Sequence, residues 1–227
     1  MIEIMERWQG EPARQYAQRV LLYNIVNLNL EPGQEISESE LSPLLGVSRT
    51  PIHESLLNLS LRKLVEIYPQ KGTFVALIDI DYVEAVRFNR FVLEGAIVEL
   101  ACEEDINYNC LTKLEKNVDL QKFYLSNNNY SEMLSLDKEY HQLLFELCYK
   151  EITYTLLEDM MPHFDRERKL SFTAFTPKEI VEDHIKLLDS IKKKDKKEAR
   201  QLMESHLTRA VVDQQLLRQH YPHYFKK

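Results

Sequence analysis

Proline and glycine are distributed very unevenly along this chain of 227 residues. Four prolines and three glycines fall between residues 32 and 72, whereas residues 73–161 contain no proline and one glycine. Because these residues interrupt helices and mark turns, the early stretch should be compact and turn-rich, and the later one can form long helices. The length suits one large domain or two modest ones. The sequence therefore predicts two domains, 1–78 and 79–227.

Composition excludes several classes of protein. Apolar residues make up 44% and charged residues 29% of the chain, which is typical of a globular protein with a packed core. The glycines are too far apart for a G-x-G-x-x-G turn or a Walker loop, which excludes nucleotide enzymes of those two kinds. Three cysteines without C-x-x-C spacing argue against a disulfide framework. With no signal-like start and no long apolar run, we expect a cytoplasmic protein that does not span a membrane.

The net charge of −7 counts against nucleic acid as a partner. The first 77 residues carry seven Lys and Arg side chains against nine Asp and Glu, so this part is not basic either. A DNA-binding surface would have to be local. Such a surface could form from a basic cluster between residues 49 and 71: Arg49, His53, Arg62, Lys63 and Lys71.

The pattern of the first domain predicts three helices followed by a β-hairpin, a winged helix-turn-helix. Ser37 and Glu40 form a capping box that starts one helix, and Gly46 suits the sharp turn after it. Ser48 then caps the next helix, with Pro51 in its first turn. The helix-turn-helix should span about 37–56, and the two strands of the wing about 64–77 with Gly72 at their turn.

The second helix of this pair has a polar, basic first turn. In a helix-turn-helix protein that end meets DNA, where the hydroxyls of Ser48 and Thr50 can hold a phosphate and Arg49 can reach base edges. A plain helical hairpin with a capped turn would produce the same pattern. Periodicity alone leaves these two interpretations open.

The segment PGQEISESELSPLLGVSRTPIHESLLNLSLRKLVEIYPQKGTFV resembles the winged-helix domain of GntR-family bacterial transcription regulators. The resemblance implies operator contacts from both helices of the pair and from the wing tip: Ser39, Ser48, Arg49, Thr50, His53, Lys71 and Gly72. His53 stands where the family usually has arginine, and Ser39 where many members have a basic residue. These departures predict an altered operator.

The second domain is expected to be an all-α bundle of about six helices, so the fold class is mainly α. The predicted helices are 80–104, 108–126, 130–148, 151–170, 177–192 and 195–220. The aromatic residues at helical spacing should lie in the bundle core: Tyr82, Phe88, Phe91, Phe123, Tyr124 and Phe145.

Asp137 and His141 lie four residues apart, on one face of a predicted helix, and His184 and His206 lie on two later helices. Together they could supply three nitrogens and one oxygen to a divalent metal ion such as Zn²⁺ or Ni²⁺. The pair could equally arise by chance, with His141 a buried core histidine. Asp183 and Asp189 could orient an imidazole or simply be solvated.

The second domain is similar to the FCD effector domain of FadR-type GntR regulators. The matching elements are Arg90 to Glu94, Asp137 to His141, Asp183-His184 and Ser205-His206-Leu207. The resemblance implies Asp137, His141, His184 and His206 as metal ligands, with Arg90 pairing with an acidic effector. Arg90 could instead form a structural ion pair with Glu94.

These observations predict a homodimeric transcription regulator rather than an enzyme. Its partners would be a pseudo-palindromic double-stranded DNA operator and a small organic acid, with no membrane. One alternative is a metalloenzyme that uses the His/Asp centre to activate water, although no matched general base is apparent. Another is a DNA-binding regulator whose effector site is vestigial.

Overall fold

The computed structural model describes residues 2–103, 105–127, 132–171, 177–209 and 214–227. Within these residues the chain is mainly helical, with eleven helices and one small sheet. The helices are α1 Ala13–Val26, α2 Glu38–Leu45, α3 Arg49–Leu61, α4 Ile80–Ala101, α5 Tyr108–Ser126, α6 Met133–Leu147, α7 Glu151–Glu158, α8 Met161–Ser171, α9 Pro177–Lys192, α10 Lys196–Arg209 and α11 Gln214–His220. The strands are β1 Glu35–Ile36, β2 Val65–Tyr68 and β3 Gly72–Val75. None of the helices in these residues is both long and apolar enough to cross a membrane.

The chain divides into two compact units. The first unit comprises Met1–Glu84, Asp159–Thr173 and Asp213–Lys227, and the second comprises Ala85–Glu158 and Ala174–Val212. The first unit is therefore discontinuous in sequence. Two segments that follow residue 78 in the chain belong to it.

The first unit contains the predicted winged helix-turn-helix. Its core is formed by the apolar faces of α1, α2 and α3, with Leu21, Ile25, Leu56 and Leu59 fully buried. The wing is an antiparallel pair, β2 and β3, in which Val65 lies opposite Val75. Strand β1 adds to the free edge of β3, so the sheet has the order β1-β3-β2. The sequence pattern did not predict β1, because two residues are too few to show an alternation.

Ser37 and Gly46 behave as the sequence predicts, whereas the side chain of Ser48 makes no capping hydrogen bond to α3. The Ser37 hydroxyl accepts a hydrogen bond from the Glu40 amide at 3.4 Å, which is one half of the capping box. Gly46 ends α2 in the left-handed conformation, with φ 63° and ψ 30°. A side chain at this φ would be strained, so glycine allows the chain to reverse here and enter α3.

Helix α8 is part of the first unit. The Nε2 atom of His163 lies 2.9 Å from the Arg62 carbonyl oxygen, just after α3. The Arg166 guanidinium donates to the carbonyl of Ala76, in the segment between the wing and α4. Both side chains are buried, and burial lowers the pKa of Arg166 to about 10. These bonds join α8 to the exits of both α3 and the wing.

The C-terminal segment also packs in the first unit. Ile78 donates its amide to the Tyr224 carbonyl at 2.8 Å, and Lys226 donates its amide to the Ile78 carbonyl at 2.9 Å. These bonds form a parallel bridge between Ile78 and Phe225, and both side chains are buried. The Lys226 ammonium lies 3.2 Å from the Asp79 carboxylate.

In the second unit α5 packs against α6 and α9, α9 against α10, and α6 against α7. The expected helix 151–170 is two helices, α7 and α8, separated by a turn at Asp159 and Met160. Pro162 explains the break, because it has no amide hydrogen and its ring clashes with the carbonyl four residues earlier. The expected helix 195–220 corresponds to α10 and α11, and residues 210–213 between them lie outside the described residues.

The expected burial of the aromatic residues is correct only in part. Phe145 is fully buried, but Phe88 is 67% exposed and Phe123 is 59% exposed. Helical periodicity identifies an apolar face without showing what covers that face. The prediction that Phe88 and Phe123 lie in the bundle core was therefore wrong.

Candidate nucleic-acid interface and metal centre

The N-terminus of α3 presents the polar residues that the sequence singled out. Ser48 is the N-cap, and its side chain makes no capping hydrogen bond to the helix. Ser48, Arg49 and Thr50 are all exposed. Amides in the first turn of a helix have no intrahelical partner, so this end can accept an anion such as a phosphate.

Ser39 and His53 are exposed beside this turn, one on α2 and one on α3. The Ser39 hydroxyl lies 2.8 Å from that of Ser37. His53 contacts Glu38, with its Nδ1 atom 2.8 Å from a carboxylate oxygen. Sequence reasoning did not identify Glu38 as a neighbour of His53, because the two residues are fifteen positions apart.

The wing tip lies between β2 and β3. Lys71 is exposed, and Gly72 has a φ of 118°, which side chains rarely adopt. A Cβ atom at Gly72 would also lie 2.9 Å from a carboxylate oxygen of Glu35 in β1. Glycine thus allows the wing to turn tightly and to approach β1 closely.

The proposed metal ligands converge in the second unit. Asp137 and His141 lie on α6, His184 on α9 and His206 on α10, and all four are buried. One ligand atom from each residue lies within 4.8 Å of the others. The Asp137 carboxylate is 4.0 Å from His141 Nε2 and 3.8 Å from His184 Nε2. The structure therefore brings together residues from three helices that the sequence separates by up to 69 positions.

Each imidazole has a different partner at Nδ1. His141 Nδ1 lies 2.5 Å from the Glu94 carboxylate of α4, and His206 Nδ1 lies 3.4 Å from Asp183. His184 Nδ1 lies 2.8 Å from the side-chain oxygen of Gln121 on α5. Carboxylates and amide oxygens accept hydrogen bonds, so these neighbours favour a proton on the Nδ1 atom of each ring.

A chain of amides fixes the orientation of Gln121. Its amide nitrogen donates to Asn117 at 2.6 Å, and Asn117 donates to the Leu136 carbonyl at 3.0 Å. The oxygen of Gln121 is thereby left to face His184. Tyr140 covers the other side of this ring, stacked at 3.9 Å between centroids, and its hydroxyl donates to the His184 carbonyl.

These partners leave lone pairs at the Nε2 atoms. His141 Nε2 and His206 Nε2 are 3.3 Å apart, which is hydrogen-bond distance when one of the two atoms carries a proton. When neither atom carries a proton, the two buried lone pairs repel unless a metal ion lies between them. The donor set of three imidazoles and one carboxylate suits a borderline divalent metal, so the residues fit the ion that the sequence implied.

Arg90 takes part in the same network. Its Nε donates to Glu94 at 2.5 Å, in the i, i+4 arrangement that the sequence left as the alternative to effector binding. Burial raises the pKa of Glu94, but Arg90 and His141 more than offset this effect and lower it to about 2. Glu94 is therefore a charged acceptor for both neighbours.

Sequence reasoning missed Glu94, Gln121 and Tyr140 as parts of this site. Glu94 ends the stretch from Arg90 to Glu94 that matches the family, so the sequence did contain a motif that could have identified it. Gln121 and Tyr140 had no motif, and only the packing of α5 against α9 and α6 reveals them. Of the two aspartates considered as orienting groups, Asp183 contacts His206, whereas Asp189 is exposed.

Comparison with known proteins matches two stretches of the chain to known families. Residues 15–75 match the family "Bacterial regulatory proteins, gntR family", and residues 85–209 match the FCD domain. The chain is 30% identical over 229 residues to an HTH-type transcriptional regulator of Streptomyces ambofaciens, covering 97% of this chain and 93% of that protein. It is 28% identical over 198 residues to the HTH-type transcriptional repressor RspR of Escherichia coli K12, covering 87% and 86%.

Solved structures agree with the fold. E. coli McbR/YncC superposes with a TM-score of 0.75 at 19% identity, covering 93% of this chain and 99% of that one. A GntR regulator from Rhodococcus sp. RHA1 gives a TM-score of 0.66 at 20% identity, covering 87% and 94%. The sequence matches extend over both the winged helix and the helical domain. The chain therefore belongs to the GntR family of bacterial regulatory proteins, with a C-terminal FCD domain, and is a DNA-binding transcription regulator rather than an enzyme.

Proposed function

We propose that this regulator binds its operator as a homodimer through residues 1–78, and that residues 79–227 dimerise and sense a small organic acid at a metal centre. The observation that carries the sensing role is the pair of Nε2 atoms 3.3 Å apart, each ring with a carboxylate at Nδ1. The operator is proposed to be double-stranded and pseudo-palindromic, since a two-fold dimer reads two related half-sites.

The DNA contacts are proposed to come from the exposed start of α3 and from the wing. Ser48 and Thr50 would hold a phosphate at the helix N-terminus while Arg49 reaches a base edge. Ser39, His53, Lys71 and Gly72 would line the same surface. Support comes from the exposure of these side chains and from the hydroxyl of Ser48, which is not used as a cap.

Replacement of Arg49 by alanine tests this surface. We expect Arg49→Ala to abolish specific retardation of the operator while helix content and oligomeric state stay unchanged, because Arg49 is exposed. Arg14→Ala is a matched control, since it removes the same charge from an exposed position on α1. A normal footprint from Arg49→Ala would place the reading surface elsewhere.

Asp137, His141, His184 and His206 are proposed to hold one divalent ion, Zn²⁺ or Ni²⁺. Charge supports this assignment: the centre holds the carboxyl groups of Asp137, Asp183 and Glu94 against the single guanidinium of Arg90. A divalent cation would balance the excess of negative charge. When bound, such an ion supplies a strong electrostatic partner for a carboxylate.

The effector is proposed to be a small organic acid, with Arg90 as the fixed positive group beside the centre. Arg90 is 4% exposed and is held by Glu94, so its position is set before any ligand arrives. An arginine fork suits the two oxygens of a carboxylate. If the site is vestigial, purified protein will bind metal but candidate acids will leave operator binding unchanged.

The dimer interface is proposed to include the exposed apolar face of α4. Phe88, Val92 and Leu100 recur at helical spacing on this helix and are 67%, 45% and 41% exposed. Large apolar side chains aligned on one helix face favour association with a second apolar surface. A second copy of the chain is the partner that operator symmetry requires.

A further inference from the structure

Glu38 fixes how His53 presents its ring. The carboxylate of Glu38, at the start of α2, contacts Nδ1 of His53 on α3 at 2.8 Å. The side chains remain 31% and 52% exposed, so the pair lies at the surface of the helix-turn-helix. Within the described residues this is the one hydrogen bond in which the His53 ring takes part.

This contact selects one tautomer of the neutral ring. An ionised carboxylate has no hydrogen to donate, so Nδ1 must carry the proton. The lone pair is then on Nε2, which lies away from Glu38. His53 therefore offers a hydrogen-bond acceptor, whereas the arginine usual at this position in the family offers only donors.

The major groove distinguishes these two kinds of side chain. Guanine presents two acceptors there, which suit arginine, whereas adenine and cytosine present amino groups that donate. We propose that His53, held by Glu38, accepts a hydrogen bond from the exocyclic amino group of an adenine or a cytosine in each half-site. This inference rests on the proposed role of α3 as the reading helix.

Selection from a pool of random double-stranded DNA, at about pH 8 where imidazole is usually neutral, identifies the base. Residue 53 contacts the base pair at the operator position where the wild-type protein shows a base preference and His53→Ala does not. At that position we expect adenine or cytosine on the contacted strand for the wild-type protein and guanine for His53→Arg. Glu38→Ala should weaken the wild-type preference, because the ring is then free to change tautomer and rotate.

A second experiment removes the amino group from the base that residue 53 is proposed to contact. If selection returns adenine, purine replaces it in one half-site of the operator; if it returns cytosine, 2-pyrimidinone replaces it there. One neutral hydrogen bond contributes about 0.5–1.5 kcal/mol, so the dissociation constant for the wild-type protein should rise about two- to twelvefold. His53→Ala should bind both operators equally.

The outcomes separate this inference from the function on which it rests. An unchanged affinity after loss of the amino group overturns the inference while Arg49→Ala still abolishes specific binding. Retained specific binding by Arg49→Ala overturns the reading role of α3 itself. Both Glu38 and His53 are partly exposed, and circular dichroism with thermal melting checks that each variant folds.

Discussion

The three buried histidines of the second unit are held in different ways because each has a different neighbour. His141, His184 and His206 are chemically identical, yet a glutamate, an amide and an aspartate contact their Nδ1 atoms. All three neighbours are acceptors, so they favour the same tautomer of a neutral ring, in which Nε2 is the atom left for the centre. The sequence predicted which four residues cluster here, but ring orientation depends on partners that only the packing shows.

Loss of one proposed ligand should release the metal ion that we propose for this centre. We expect His184→Ala and His206→Ala to lower metal affinity by at least about tenfold and to lose the stabilisation that added metal gives. Metal content after dialysis and melting with added Zn²⁺ or Ni²⁺ measure this effect. Operator binding without effector should survive, since the winged helix has its own core.

The matched control is His220→Ala, which removes an exposed histidine of the first unit. It should keep its metal and its response to candidate organic acids. Stoichiometric metal in both His184→Ala and His206→Ala would show that these residues are ordinary core histidines.

A second histidine prediction concerns acid stability. Burial lowers the pKa of His163 from 6.5 to about 4, with a smaller opposing effect from the Arg62 carbonyl. The unfolded chain thus binds the proton more readily than the folded chain between these values. The contribution of His163 to the free energy of unfolding is complete above about pH 6.5 and is lost as the pH falls towards 4. Between about pH 7 and about pH 5 this loss amounts to about 2 kcal/mol.

Urea unfolding at both pH values tests this contribution. Trp8 is the single tryptophan of the chain and lies in the first unit, with Arg19 4.0 Å above its ring, so its fluorescence reports on that unit. His163→Gln has no titrating group and should show a smaller loss than the wild-type protein. An equal loss in both proteins would mean that carboxyl groups account for the whole acid effect.

Whole elements were predictable where a turn residue marks their ends. The capping box at Ser37, Gly46 and Pro51 correctly predicted where α2 begins and where the chain turns into α3, because caps and turns depend on local chemistry. Strand β1 was missed because its pairing with β3 is non-local. The break before α8 was also missed, although Pro162 marks it. Neither pattern nor propensity showed that α8 packs in the first unit, since that placement depends on contacts 90 to 101 residues apart.

The C-terminal strand-like segment should contribute measurably to the first unit. Phe225 is 5% exposed, and replacing a buried phenylalanine by alanine usually costs about 3–5 kcal/mol. We expect Phe225→Ala to lower the urea midpoint measured by Trp8 fluorescence. Tyr221→Ala is the control, because Tyr221 is 37% exposed and should change the midpoint little. Equal midpoints for Phe225→Ala and the wild-type protein would show that the bridge at Ile78 adds no stability.

At the scale of the whole molecule, charge supports the proposal that the regulator binds DNA as a dimer. The chain carries a net charge of −7, so a single winged helix has few cations with which to hold phosphates. Two winged helices on one operator convert the second contact into an intramolecular one. Affinity should still fall steeply with added salt, since every phosphate contact releases counterions.

A charged residue on the exposed face of α4 should break the dimer. We expect Phe88→Glu to give monomers in light scattering and to weaken operator binding by at least about a hundredfold, in line with the usual gain from two linked contacts. Ile152→Glu is the control, because Ile152 is 79% exposed on α7 in the same unit. If Ile152→Glu dissociates the dimer and Phe88→Glu does not, the interface lies on α7 instead.

The bridge between Ile78 and Phe225 has a consequence for the order of folding. A ribosome releases the winged helix long before it makes α8 or residues 214–227, yet both segments pack in the first unit. During synthesis the newly made winged helix therefore lacks the partners of Ala76 and Ile78. It can reach its final stability only after the end of the chain emerges, so a stalled or truncated nascent chain should be an easier substrate for proteases than the finished regulator.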